Sequence, residues 1–219
     1  VRPDIRDIKN LQGKKVGITR FGSVTDFALR TLIERYNLKD VNMLQMGGFP
    51  EAVAGLFRGA IDGAVLSPPH GFRMIKEGFR ELASPKDLRA LGSGFLTQGI
   101  VARKSFGATH RDIVVRIIKS TVEATKFAMS NEDFTKRTIS KYLGINDPDL
   151  QRQSYQYIGE TFVREPFVPE STMQSMVQRM VQVNMIDAKS AQTTPTSAYF
   201  DNSYVAELKQ SGFLDSVWK

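Results

Sequence analysis

The sequence predicts an α/β lobe followed by a mostly helical one, and three observations carry that reading. Residues 1–97 alternate short apolar runs of strand length with helical periodicities. Residues 98–219 hold longer helical periodicities and little strand signal. Of the 219 residues, 41% are hydrophobic and 24% charged, an ordinary globular composition that excludes wholesale disorder.

In the first half, Lys15 to Thr19 reads as a strand and Val24 to Tyr36 as an amphipathic helix, with Phe27, Ala28, Thr31, Leu32 and Arg35 at spacings of three and four. Val41 to Met46 is a second strand. Pro50 to Gly59 is a helix, its proline suited to a first turn where the absent N–H costs nothing. Ile61 to Leu66 is a third strand, Pro69 to Gly78 a short helix, and Phe79 to Ala83 a candidate fourth strand. Strands separated by single helices pair in parallel through right-handed crossovers.

In the second half, a β-like run at Gly99 to Ala102 precedes helices over Thr109 to Ser130, Asn131 to Leu143, Asp147 to Glu160 and Ser171 to Asn184. Gly144 stops the second of these, and Asp147-Pro148 caps and opens the third. A short helix, Asn202 to Ser211, precedes the Phe213–Trp218 tail. Met173, Met176, Val177, Met180 and Val181 form one face of the fourth helix and are expected to pack as core. Three or four strands beside so much helix leave apolar helical surface without a partner layer, so strands are expected to be lacking on the N-terminal side.

Charge and composition narrow the function classes. The net charge is +7, with 15 basic and 10 acidic residues in 1–97 and 15 and 13 in 98–219. The basic residues are scattered rather than gathered in a stripe, which argues against a nucleic-acid partner. No window reaches the roughly 18 apolar residues of a membrane span. The absence of cysteine excludes disulfides, thiolate metal sites and cysteine catalysis. The opening Val1-Arg2-Pro3 has neither an initiator methionine nor a charged-then-apolar signal segment, as expected of a processed or shortened chain.

Ligands of an open parallel sheet collect beyond the carboxyl ends of its strands, and three loops lie there. The first, Arg20 to Asp26, offers Gly22, Ser23 and Val24. Ser23 or Thr25 can cap the following helix, and Ser23 with Asp26 has capping-box spacing. A helix start also suits a carboxylate, sulfonate or phosphate. The second, Gly47-Gly48-Phe49-Pro50-Glu51, permits close backbone approach, with Phe49 either stacking on a ligand or sitting in the core. The third, Ser67-Pro68-Pro69-His70, makes a rigid rim with an ordinary loop histidine as the plainer reading of His70. The spacing of G-x-G-x-x-G is absent, as are a phosphate-loop G-K-[ST] and a G-x-S-x-G nucleophile elbow. Two histidines, His70 and His110, are too few for a three-histidine zinc site. No cofactor and no metal is expected.

An ordered series of short motifs adds a family resemblance. Leu11-Gln12-Gly13-Lys14-Lys15-Val16-Gly17 is followed by Gly22-Ser23, Asp26-Phe27 and Leu29-Arg30. Then come Pro50-Glu51 with Ala54, Gly59-Ala60-Ile61-Asp62-Gly63-Ala64, Ser67-Pro68 and Gly78-Phe79. Tyr142-Leu143-Gly144 and Phe200-Asp201-Asn202-Ser203-Tyr204 close the series. This resembles the ABC-transporter periplasmic solute-binding proteins of the sulfonate, nitrate, taurine and thiamine-pyrimidine-precursor branch, from about Ile5 to Leu208. The resemblance implies a type II periplasmic-binding-protein-like α/β fold. Residues 1–97 would form the second, ligand-loop-bearing lobe, and 98–219 a return strand over Gln98 to Ala102 with the helical C-terminal part of the first lobe. It implies a small-molecule ligand, held by Gly22, Ser23, Val24, Gly48, Phe49, Ser67 and Pro68, with His70 and Gln98 as further contacts.

The same resemblance implies an extracytoplasmic or periplasmic location and an ABC permease of the inner membrane as partner. With part of the first lobe lacking, a homodimer or swapped oligomer is the expected consequence. The ligand is left open between an anion, for the helix start, and an aromatic ring, for Phe21, Phe49 and Phe72. Three alternatives share this fold: a pyrimidine-precursor synthase-like enzyme, a LysR-type effector domain without its helix-turn-helix, and a lobe repurposed as an oligomeric interaction module.

Overall fold

The computed structural model describes residues 1–90, 96 and 98–219. The expected boundary at residue 97 therefore lies outside the described residues. The elements run β1 (Lys15–Ile18), α1 (Val24–Arg35), β2 (Asn42–Gln45), α2 (Phe49–Phe57), β3 (Gly63–Ala64), α3 (His70–Lys76) and α4 (Pro85–Ala90). They continue as α5 (Lys104–Thr109), α6 (Arg111–Ser130), α7 (Glu132–Leu143), α8 (Pro148–Thr161), α9 (Glu170–Gln182), α10 (Ala188–Thr193), α11 (Ser203–Gln210) and α12 (Phe213–Val217). The chain divides into two compact units, one of Val1–Phe95 with Ser175–Ala191, the other of Leu96–Gln174 with Gln192–Lys219.

The first unit is built on a parallel sheet in the order β2-β1-β3. Lys15 pairs with Asn42 and Ile18 with Gln45 on one side of β1, and Val16 with Gly63 on the other. The chain moves from β1 to one neighbour and then back across it to the other. Right-handed crossovers in opposite directions put the two connecting helices on opposite faces. Side-chain alternation agrees with this. Val16 and Ile18 join Leu29 and Leu32 of α1, with Ile5, Ile8 and Leu11, in one core. Leu44, Met46 and Ala64 pack with Val53 and Leu56 of α2, Ile61 and Met74 in the other. Gly17 points to this second side, where a Cβ would come within 2.8 Å of Ile61 Cδ1 and 2.9 Å of Met46 Cγ. The carboxylate of Asp62 fastens the base of the sheet, accepting from Lys15 N–H at 2.8 Å and pairing with Arg2 at 3.0 Å.

The second unit centres on α6. Val114, Val115, Ile118 and Val122 pack against Val205 and Leu208 of α11 and Leu214 of α12. The expected stops and starts are in place. Gly144 ends α7 at φ 65°, and the Asp147 side chain accepts from the N–H groups of Asp149 and Leu150 at the start of α8. Asn202 ties α11 to the chain before α9, donating to Val168 O and accepting from Val168 N–H, both at 2.9 Å. Indole N–H of Trp218 donates to Arg164 O at 2.9 Å.

Four expectations are corrected. Phe79 to Ala83 forms no strand. Gly78, at φ 91°, turns the chain so that Phe79 N–H bonds Met74 O and Arg80 N–H bonds Val1 O, while the Phe79 ring meets Phe57 edge-on at 5.5 Å. The return strand over Gln98 to Ala102 is also not formed, and Val101 is 94% exposed. Among the described residues the sheet has only β1, β2 and β3, so that run gains no ladder partner. The long helix does not begin at Thr109. His110, with φ −131° and ψ 44°, divides a short α5 from α6 and stacks on Phe106 at 4.7 Å. The methionine face of α9 is only half-buried and carries no fully buried residue. No helix among the described residues is long and apolar enough to cross a membrane.

Candidate functional site

Three loops leave the carboxyl ends of β1, β2 and β3, and the parallel pairing brings them side by side. Their contacts join them. Gly47 N–H donates to Thr19 O at 3.0 Å, and the Phe49 ring lies 5.3 Å from the His70 ring at 34°.

The first loop is held by hydroxyls and one buried carboxylate. Thr19 Oγ1 donates to Ser23 Oγ at 3.0 Å, and Ser23 Oγ lies 2.8 Å from Thr25 Oγ1. Thr19 Oγ1 is 2.9 Å from Thr25 Oγ1, which also accepts from Thr19 N–H at 2.9 Å. Ser23 caps α1, its hydroxyl accepting from Asp26 N–H at 3.4 Å. The reciprocal half of the expected capping box is shifted by one residue. The Asp26 carboxylate accepts from Gly22 N–H at 2.8 Å rather than from Ser23. Gly22 can present that N–H because it sits at φ 75°, a left-handed conformation that glycine adopts freely. Asp26 is fully buried, and its charge is balanced by Arg30 Nε at 2.8 Å. Val24 is the first, half-buried residue of α1. Gln45, at the end of β2, accepts from Phe21 N–H at 2.8 Å and anchors the loop from its other side.

In the second loop Gly47 turns the chain at φ 93° and Gly48 caps α2, which puts Phe49 and Pro50 in its first turn. Phe49 is half-buried against His70, so neither sequence alternative is met in full: its ring is paired within the site. The third loop runs through Ser67 and a cis Pro68-Pro69 peptide into α3. Ser67 O accepts from Gly71 N–H at 3.3 Å, and Pro68 is half-buried. His70 opens α3, and its pKa is held below the ordinary histidine value by burial first and by the Arg73 charge second.

The structure thus gathers Gly22, Ser23, Val24, Gly48, Phe49, Ser67, Pro68 and His70 on the three loops at one end of the sheet. Gln98 belongs to the second unit and is exposed. Thr19, Gln45 and Met185 were not anticipated. Thr19 was legible as the polar end of an apolar strand, whereas Gln45, bonded to Phe21, and Met185, whose sulfur lies against Gly22, meet the first loop through tertiary contacts that no local pattern announces. Among the described residues no cluster of three or more metal-ligating side chains occurs.

The lowered His70 pKa has a consequence for stability. A base whose folded pKa lies below its unfolded value binds fewer protons when folded, so its contribution is complete above about pH 6.5 and is lost as pH falls below it. His70→Gln is therefore expected to show a smaller drop in melting temperature between pH 7.5 and 5.5 than the wild-type chain. Equal drops in thermal melts of the two would remove His70 from the pH response.

A parallel sheet with helices on both faces and three loops at its carboxyl edge belongs here to a periplasmic-binding-protein-like α/β fold. The chain belongs to the NMT1-like family, whose model matches residues 3–144 and which is of the sulfonate, nitrate and taurine binding-protein type. A solved structure of a Bordetella bronchiseptica RB50 protein is similar in fold, with a TM-score of 0.73 and 19% sequence identity over 95% of this chain and 68% of that one. No protein with a curated description matches the chain.

Proposed function

We propose that this protein captures a small extracytoplasmic molecule at the three loops and delivers it to the permease of an ABC importer. The observation that supports it best is the joining of the loops into one surface, through Gly47 on Thr19 and Phe49 on His70, within a family of solute-binding type. The first loop suits an anionic group: it stands at the N-terminal end of α1, and Arg30 already balances the one carboxylate there. The Phe49 and His70 rings suit a planar or apolar part of the same molecule. Ser23, Val24, Gly48, Ser67 and Pro68 shape the space between these two ends. The family is one of binding proteins, and no step of bond-making chemistry is assigned to the site.

Native mass spectrometry of the chain purified from an extracytoplasmic extract tests this directly. A small adduct is expected on the wild-type chain, lost on denaturation and reduced at least about tenfold in Phe49→Ala, since one well-placed aromatic contact carries on the order of 1.4 kcal/mol. Absence of any adduct, with no thermal stabilisation by millimolar taurine, nitrate or an aminopyrimidine, would overturn the reading.

A further inference from the structure

We propose that Met185 is an oxidant-sensitive wall of the first loop, converted by hydroperoxides to the sulfoxide and thereby displaced from Gly22. Its importance for a ligand rests on the function proposed above, but the chemistry does not.

Two independent observations meet at this residue. The first is accessibility. All eight methionines lie among the described residues, and Met185, at 57%, is the one in the exposed class, whereas Met74 is 3% exposed and the others are half-buried. Its exposure follows from the turn that ends α9. Asn184 takes a φ of 58°, and Met185 N–H bonds Met180 O at 2.8 Å, which projects the side chain beyond the helix. Of the eight methionine side chains it is the one most open to a dissolved oxidant.

The second observation is what the sulfur touches. Residues 175–191 belong to the first unit, and Met185 Sδ fills the space that a Cβ on Gly22 would need. Gly22 has little freedom to give way, because its φ of 75° and its N–H bond to Asp26 are both specific to this loop conformation. The thioether therefore closes one side of the loop that carries the hydroxyls of Ser23 and Thr25.

The reaction balances without any group from the protein. The sulfur lone pair attacks one peroxide oxygen, the O–O bond breaks and an S–O bond forms. Sulfur loses two electrons to the breaking O–O bond, and the departing oxygen takes the proton of the attacked hydroxyl, leaving as water or, from an organic hydroperoxide, as an alcohol. The product side chain is bulkier and polar at the atom now packed on the glycine. It cannot keep that contact unchanged, so the loop over 20–26 loses its wall.

The experiment uses the whole chain and hydrogen peroxide, with no ligand. Peptide mapping over a time course is expected to find Met185 oxidised at least about fivefold faster than any other methionine. Amide hydrogen exchange over 20–26 is expected to rise in the oxidised protein. It should rise without peroxide in Met185→Gln and stay at the native level under peroxide in Met185→Leu. Faster oxidation of another methionine, or complete oxidation of Met185 with exchange over 20–26 unchanged, would overturn the proposal. Because neither readout involves a bound molecule, the proposed transport role can fail while this result stands.

Discussion

Gly17→Val is expected to destabilise the first unit by about 3 kcal/mol, the upper range for forcing added methyl groups into a packed core. Gly17 lies in the central strand, hydrogen-bonded to neighbours on both sides, and its Cα faces the α2 layer. There Ile61 Cδ1 and Met46 Cγ stand 2.8 and 2.9 Å from where a Cβ would be, and both belong to the core around Val53 and Leu56. Even alanine at this position brings a Cβ closer than 3.0 Å to both, so the end of Ile61 and the stem of Met46 must move. Valine adds two further methyls that the sheet cannot move to accommodate. Urea denaturation followed by far-ultraviolet dichroism measures the effect. A midpoint unchanged from wild type would mean that α2 is not seated on β1 as described.

Asp26→Ala is expected to cost about 2 kcal/mol and, more tellingly, to loosen the first loop. The carboxylate is fully buried, accepts from Gly22 N–H and pairs with Arg30. Breaking a buried pair from one side costs 3–5 kcal/mol where the abandoned charge stays buried. Arg30 is 35% exposed at its side chain and can turn to water, which brings the cost down. The Gly22 N–H has no such escape while the loop keeps its shape. Amide exchange at Gly22 and Ser23 should therefore rise by more than the change in global stability explains. Exchange that tracks global stability alone would make Asp26 a helix residue with no special hold on the loop.

Much of this was legible in the chain, for identifiable reasons. Single helices between short apolar runs specify parallel pairing, and β1, β2 and β3 pair so. Gly144, Asp147 and Pro148 act through backbone conformation at their own positions, so helix ends were readable locally. The loops carrying Ser23, Phe49 and His70 followed from the rule that ligand loops leave the carboxyl edge. What was not legible depends on partners distant in sequence. Phe79 has the composition of a strand residue, but its N–H is taken by Met74 and its ring by Phe57. Val101 has strand propensity, yet propensity yields a strand only beside a neighbour. The face of α9 has helical spacing, but spacing does not say how much covers it. Met185 stands far along the chain from Gly22, and only the fold brings them together.

The strand order has a kinetic consequence. Lys15 pairs with Asn42 and Val16 with Gly63, so no rung of this sheet can form by closing a local hairpin. Each pairing must wait until a whole helical crossover has been folded back, with the loop-closure entropy met before the contacts that reward it. The last ladder to form also requires the chain to pass over β1 to its free side. Folding of the first unit is therefore expected to be slow relative to the local, largely helical contacts of the second. During that interval the α2 face of β1, including the bare backbone at Gly17, stands open to any chaperone or neighbouring chain that reaches it before α2 does.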